Sequence, residues 1–243
     1  MPANQLFDLF YCERVFVGWD QPFLHAASKF LVDRFWGDDP LRGDQLDLST
    51  WTCVLPSAQS VLGFRGALRQ ACGVAGLELV SPKIVAVGEL AESLYQPRNP
   101  LAIEFEQTLA WVRVLERQVP ADLEPLLPVV PESESLGAWI EIASTLRRLE
   151  SDLAAECLSF ANVVEVTETE SERRRWELLT RLLKQFHEQL AQAGLSDPHL
   201  ARTEAIEEKQ VRSSNSILLL GCSDLSESLA RLLREVNREV LSV

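Results

Sequence analysis

Ser216-Ile-Leu-Leu-Leu220 is a short, continuous apolar run followed at once by Gly221, the pattern of a strand buried on both faces. Such a strand belongs to a parallel sheet, whose strands are joined by crossover helices and covered by them. The same rhythm runs through the first part of the chain. Arg14–Val17 reads as a short strand, Gly18 as a turn, and about Gln21 to Phe35 as an amphipathic helix. Trp51–Leu55 is a β-rich run ended by Pro56, with Ser57 as N-cap of a helix from Ala58 to about Cys72. Gly73–Gly76 then turn the chain, Leu77–Val80 and Ile84–Val87 read as strands, and a short helix is expected over Glu89–Tyr95. The polar stretch from Trp36 to about Ser49 reads as a loop.

The pattern changes at Gln96-Pro-Arg-Asn-Pro100. Helical periodicities cover Leu101–Gln118, Ser135–Cys157 and Glu170–Ala193, another helix opens at Ser196-Asp-Pro198, and Ser159–Val164 is the one candidate strand. Trp176, Leu179, Leu183, Phe186 and Leu190 recur at helical spacing, as a core-facing stripe does. Arg173–Arg175 read as a solvated first turn, although the helix dipole prefers acids there. After the strand at Ser216, Asp224 and Glu227 are spaced as a capping pair, and Val240–Val243 reads as a strand beginning, so the fold is expected to continue beyond it. The expected organisation is an α/β unit in two segments, residues 1–96 and 212–243, around a helical insertion, 97–211.

Composition narrows the function. Of 243 residues, 47% are hydrophobic and 24% charged, values of a folded chain rather than a disordered one. A net charge of −13 argues against non-specific coating of nucleic acid but leaves room for a local basic face. That face would be built from arginine, since Lys29, Lys83, Lys184 and Lys209 are the only lysines; GC-rich coding produces the same bias. The five cysteines (Cys12, Cys53, Cys72, Cys157, Cys222) are scattered, with no Cys-x-x-Cys pair, and His25, His187 and His199 form no zinc pattern with them. Free buried thiols in a reducing, cytoplasmic setting are expected, with no metal or cofactor held by this chain and no membrane partner.

A strand, a turn and a helix at the start of an α/β unit is where many proteins cradle phosphate. A Walker A loop needs several glycines and a Gly-Lys-Ser/Thr ending, whereas Gly18, Trp19, Asp20, Gln21 and Pro22 supply one glycine, a bulky ring, an anion and an imino acid. Lys29 lies about two turns inside the helix. A Walker B strand ends in an acidic residue that holds magnesium, but the run at Ser216 ends in Leu219, Leu220 and Gly221. Asp224, four residues on, reads as a helix cap rather than a ligand.

Val15-Phe-Val-Gly-Trp, Thr52-Cys-Val-Leu-Pro-Ser-Ala-Gln, Pro82-Lys-Ile-Val-Ala-Val-Gly-Glu-Leu90, Trp176-Glu-Leu-Leu-Thr-Arg-Leu-Leu, Gly194-Leu-Ser-Asp-Pro and Ile217-Leu-Leu-Leu-Gly-Cys-Ser-Asp-Leu follow one another in this order. The order resembles the N-terminal part of a superfamily 1 helicase, and more closely an AddB-type subunit of bacterial helicase–nuclease complexes that process double-strand breaks. The resemblance implies a RecA-like α/β domain with a helical insertion and, given the lost motifs, an inactivated nucleotide site. It further implies an AddA-type motor and nuclease subunit as partner, and DNA bound through the whole complex. Ser57, Gln59, Arg65 and Arg69, at and after the second strand, are the DNA-contact candidates, with the wet face of an amphipathic helix as the plainer account of the two arginines. Two other readings compete. One is an α/β enzyme built on Gly18-Trp-Asp, on Asp20 with His25 or on Gly221-Cys-Ser-Asp; the other is a stand-alone interaction module docking through its helical insertion.

Overall fold

In the computed structural model, which describes residues 12–36 and 43–243, every residue of the strand β3 (Trp51–Leu55) is buried. Residues 1–11 of the expected first segment and 37–42 of the expected loop lie outside the described residues. β3 pairs in parallel with β5 (Lys83–Ala86) on one edge and with β6 (Ser216–Leu219) on the other. β6 pairs with β7 (Val240–Ser242), and β7 with β1 (Glu13–Arg14). The result is a five-stranded parallel sheet in the order β1-β7-β6-β3-β5, in an α/β fold. Two further strands, β2 (Gln45–Asp47) and β4 (Glu78–Val80), make a separate parallel pair, so the stretch read as loop after Trp36 contains a strand.

Within the described residues the chain divides into an α/β unit, up to Tyr95 and then Lys209–Leu225 and Leu229–Val243, and a helical unit, Gln96–Glu208 with Ser226–Ser228. In the first, α1 (Phe23–Phe35) and α2 (Ala58–Ala75) pack together, and Ala27, Leu31, Phe64 and Leu68 join Cys53, Leu55, Leu218 and Leu220 in one core. Burial of each large apolar side chain there stabilises the fold by roughly 1.5–3 kcal/mol. Ser57 caps α2, its Oγ accepting from Ser60 N–H at 3.2 Å. The helix runs three residues past its expected end. Gly73 stays helical, and only Gly76, at φ +72, leaves the right-handed region. Glu89–Tyr95, expected as a helix, forms part of two single 3₁₀ turns, Val87–Glu89 and Ala91–Ser93.

The helical unit holds α3 (Glu104–Glu116), α4 (Pro120–Leu123), α5 (Leu136–Ala155), α6 (Phe160–Val166), α7 (Glu170–Gln192) and α8 (Pro198–Glu207). Its centre is Trp111 of α3, fully buried and stacked on Phe186 of α7 with ring centroids 4.7 Å apart. Around α7 the buried stripe is Leu178, Leu179, Leu182, Phe186 and Leu190, while Trp176 and Leu183 sit at its half-buried edge. The expected strand at Ser159–Val164 is the helix α6 instead. Asn162 Oδ1 accepts from the Ser159 backbone N–H and from its hydroxyl, both at 2.9 Å, and this local bonding outweighs the β preference of Val163 and Val164. The basic first turn of α7 is tied down by Arg174 Nε donating to Glu170 at 3.0 Å and Arg175 Nε donating to the Pro125 carbonyl at 3.1 Å.

Two carboxylates are buried in this unit. Asp197 caps α8, its Oδ1 accepting from the N–H groups of His199 and Leu200. Glu150 of α5 lies 4.0 Å from His199 Nε2. Burial first, and then the Asp197 charge, push the Glu150 carboxyl up to about 8, against the pull of Arg147 and Arg202. The folded chain thus keeps a proton that the unfolded chain releases above its ordinary value of 4.5. Stability is expected to fall as pH rises from about 5 to about 8, because folding takes up that proton in this window. Glu150→Gln, neutral throughout, should flatten the slope and raise the thermal midpoint at about pH 8.5. Circular dichroism melts across the range test this, and an unchanged slope would mean that Glu150 is ionised in the fold.

Candidate functional site

In an open parallel sheet, ligands bind outside the carboxyl ends of the strands, where neighbouring strands send their crossovers in opposite directions. Here β3 leads toward β5 and β6 leads toward β7, and β3 and β6 are neighbours. The loops at Pro56–Ser57 and Leu220–Cys222 therefore flank the point where a crevice is expected.

Phe23, the first residue of α1, meets this point. Gly221 adopts φ +64, and a Cβ there would stand 2.9 Å from Phe23 Cε1 and 3.2 Å from Cζ. The ring thus lies directly against the turn that ends β6 and packs on the core beneath. Leu219 and Leu220 are buried in the interior, so β6 ends without a carboxylate. The loop before α1 turns at Gly18, at φ +83. Pro22 occupies the N-cap of α1 with no side-chain cap, and its carbonyl accepts from His25 and Ala26. An imino acid at this place removes one of the N–H groups on which a phosphate would rest.

Trp19, 89% exposed, and Phe16, 71% exposed, meet edge-to-face with centroids 5.3 Å apart. Lys29 is directed elsewhere, into a hollow of about 400 Å³ between α1 and α2 shared with His25, Ala67 and Val74. Asp224 is exposed in the loop and is not the cap expected of it: α9 (Glu227–Glu235) begins at Glu227, so Ser226 holds the preceding position. The Cys222 thiol contacts the carbonyls of Val54 at 3.5 Å and Leu220 at 3.7 Å, and burial pushes it up to about 11. At neutral pH it is a thiol, the opposite of an activated nucleophile. Among the described residues, no group of three or more His, Cys, Asp or Glu side chains is placed to hold a metal ion. Nor, among them, is any helix long and apolar enough to cross a membrane.

The structure splits the four DNA-contact candidates. Ser57 and Gln59 are exposed at the carboxyl edge, where Ser57 already serves as a cap. Arg65 and Arg69 lie about 9 and 15 Å further along α2, on its exposed side. Sequence reasoning missed Phe23, although a signal existed: Phe23, Ala27 and Leu31 are four residues apart on the apolar side of α1. The sequence matches no family model and has no significant match among curated proteins.

Gly221→Ala is expected to cost about 1–3 kcal/mol, because both the backbone conformation and the Phe23 ring oppose a Cβ. Combined with Phe23→Ala, it should cost less than the sum of the two single changes, since the steric part is relieved. Urea unfolding of the four proteins measures this, and strict additivity would separate the ring from the glycine.

Proposed function

We propose that this chain is a non-catalytic, helicase-like module of an AddB-type subunit in a helicase–nuclease that processes DNA double-strand breaks. The α/β unit is RecA-like in this reading, and the helical unit is its insertion, entering the chain between β5 and β6. The observation that carries the reading is the position of the Phe23 ring, against the end of β6 and at the mouth of α1. In a working NTPase that space belongs to the phosphates and magnesium, held between a glycine-rich loop and a strand-end carboxylate. Here the Phe23 ring stands against Gly221, no carboxylate ends β6, and Pro22 thins the N–H array at the helix mouth.

The module acts as a scaffold. It docks an AddA-type motor and nuclease subunit in the cytoplasm, needs no cofactor of its own, and guides a DNA strand. Ser57 and Gln59 would meet the strand at the carboxyl edge, with Arg65 and Arg69 following along α2.

Magnesium ATP at about 5 mM is expected to leave the thermal midpoint unchanged, whereas a ligand at about a hundred times its Kd would stabilise by about 2.7 kcal/mol. A clear upward shift overturns the inactive-site reading. The natural reading frame is expected to run on past Val243 for several hundred codons into a second helicase-like half and a nuclease motif. A stop codon directly after Val243 overturns the helicase–nuclease assignment.

A further inference from the structure

Arg65 and Arg69 stand one helical turn apart on α2 and open into the same hollow, of about 220 Å³. Leu68, Leu79 and Ile84 give it an apolar lining, and Ser81 and Pro82 bound it at the connection from β4 to β5. That connection enters β5 at its amino end, so the hollow lies at the edge of the sheet opposite to the crevice that Phe23 meets.

Like charges four residues apart on a helix repel, and an anion held between them would remove that repulsion. The chain carries 36 acidic residues against 23 basic ones, and Arg34, Arg98, Arg147 and Arg174 each pair with a glutamate. Arg65 and Arg69, by contrast, make no ion pair or hydrogen bond with any described residue. Two forked guanidinium groups and a hydroxyl over an apolar wall are the donors a tetrahedral oxyanion takes, and the low-dielectric wall strengthens the attraction. The volume falls below the roughly 300–1,000 Å³ of sites that enclose whole small molecules, which matches a single phosphate group better than a nucleotide.

We propose that this hollow binds one phosphate-class oxyanion, held by Arg65, Arg69 and the Ser81 hydroxyl, as free phosphate or as one phosphate of a nucleic-acid backbone. The site stands on its own geometry and would survive the loss of the helicase-like reading.

The test is a titration of the uniformly ¹⁵N-labelled 243-residue chain at low salt, first with inorganic phosphate and then with a single-stranded oligonucleotide. Saturable shifts at the Ser81 amide and the Arg65 and Arg69 Nε–H signals are expected with phosphate. The phosphate affinity read at the Ser81 amide should fall about tenfold in Arg65→Gln/Arg69→Gln. If the oligonucleotide moves the same signals, the source is a nucleic-acid backbone. The double variant should then lower the slope of log affinity against log salt by about 1–2. Shifts with phosphate alone assign a free anion and leave the site intact while removing these arginines from DNA contact. No saturable shift at these three groups in the wild-type chain overturns the proposal, and that result does not depend on how the variant folds.

Discussion

The α/β unit depends on the two hydrogen-bonded edges of β3. All five residues of that strand are buried, and a buried backbone donor or acceptor without a partner costs about as much as a lost hydrogen bond. One edge is served by β5, about 30 residues further along the chain. The other must be served by β6, which the helical unit separates from it in sequence. The pairing of Trp51 with Ser216 and of Val54 with Leu219 is thus what makes two distant segments one sheet. It also places the turn at Gly221 beside the loop after β3, where the Phe23 ring meets it.

Much of this was legible in the sequence, for physical reasons. Trp51–Leu55 and Ser216–Leu220 are apolar runs too short for a helix and bounded by turn residues, and both became buried parallel strands. The long helices announced themselves by period and caps, as at Ser57 and Asp197. What escaped was decided by tertiary partners or by a competing local bond. β2 is three residues of polar chain whose pairing with β4 makes it a strand. Ser159–Val164 has β-branched residues, but the bonds of Ser159 to Asn162 start a helix there. β1 is Glu13–Arg14 rather than Arg14–Val17, because pairing with β7 ends where Val15 N–H donates to Ser242, before the rest of the apolar run.

The sites divide the same way. The four-residue spacing of Arg65 and Arg69 puts them on one side of α2 by helix geometry alone, and that much could be read from the chain. Ser81 and Pro82 complete the hollow only because the sheet brings the start of β5 beside that helix, which no local pattern encodes. Phe23 could be placed on the core side of α1 by spacing, but its encounter with Gly221 requires the sheet order. Asp224 looked like a cap because its spacing to Glu227 fits one, yet spacing alone does not choose between two serines and an aspartate in the same loop.

The place of β1 in the sheet has a consequence for how a ribosome delivers this fold. Among the described strands β1 pairs with β7 alone, and the paired residues Glu13 and Leu241 are about 230 residues apart in the chain. At a synthesis rate of about 5–20 residues per second, β1 waits roughly 11 to 46 seconds for β7. During that wait Glu13 and Arg14 travel on a nascent chain whose pairing strand has not been made. Glu13 and Arg14 are therefore paired only once Val240–Ser242 have been made, well after α1 and α2 can pack on one another.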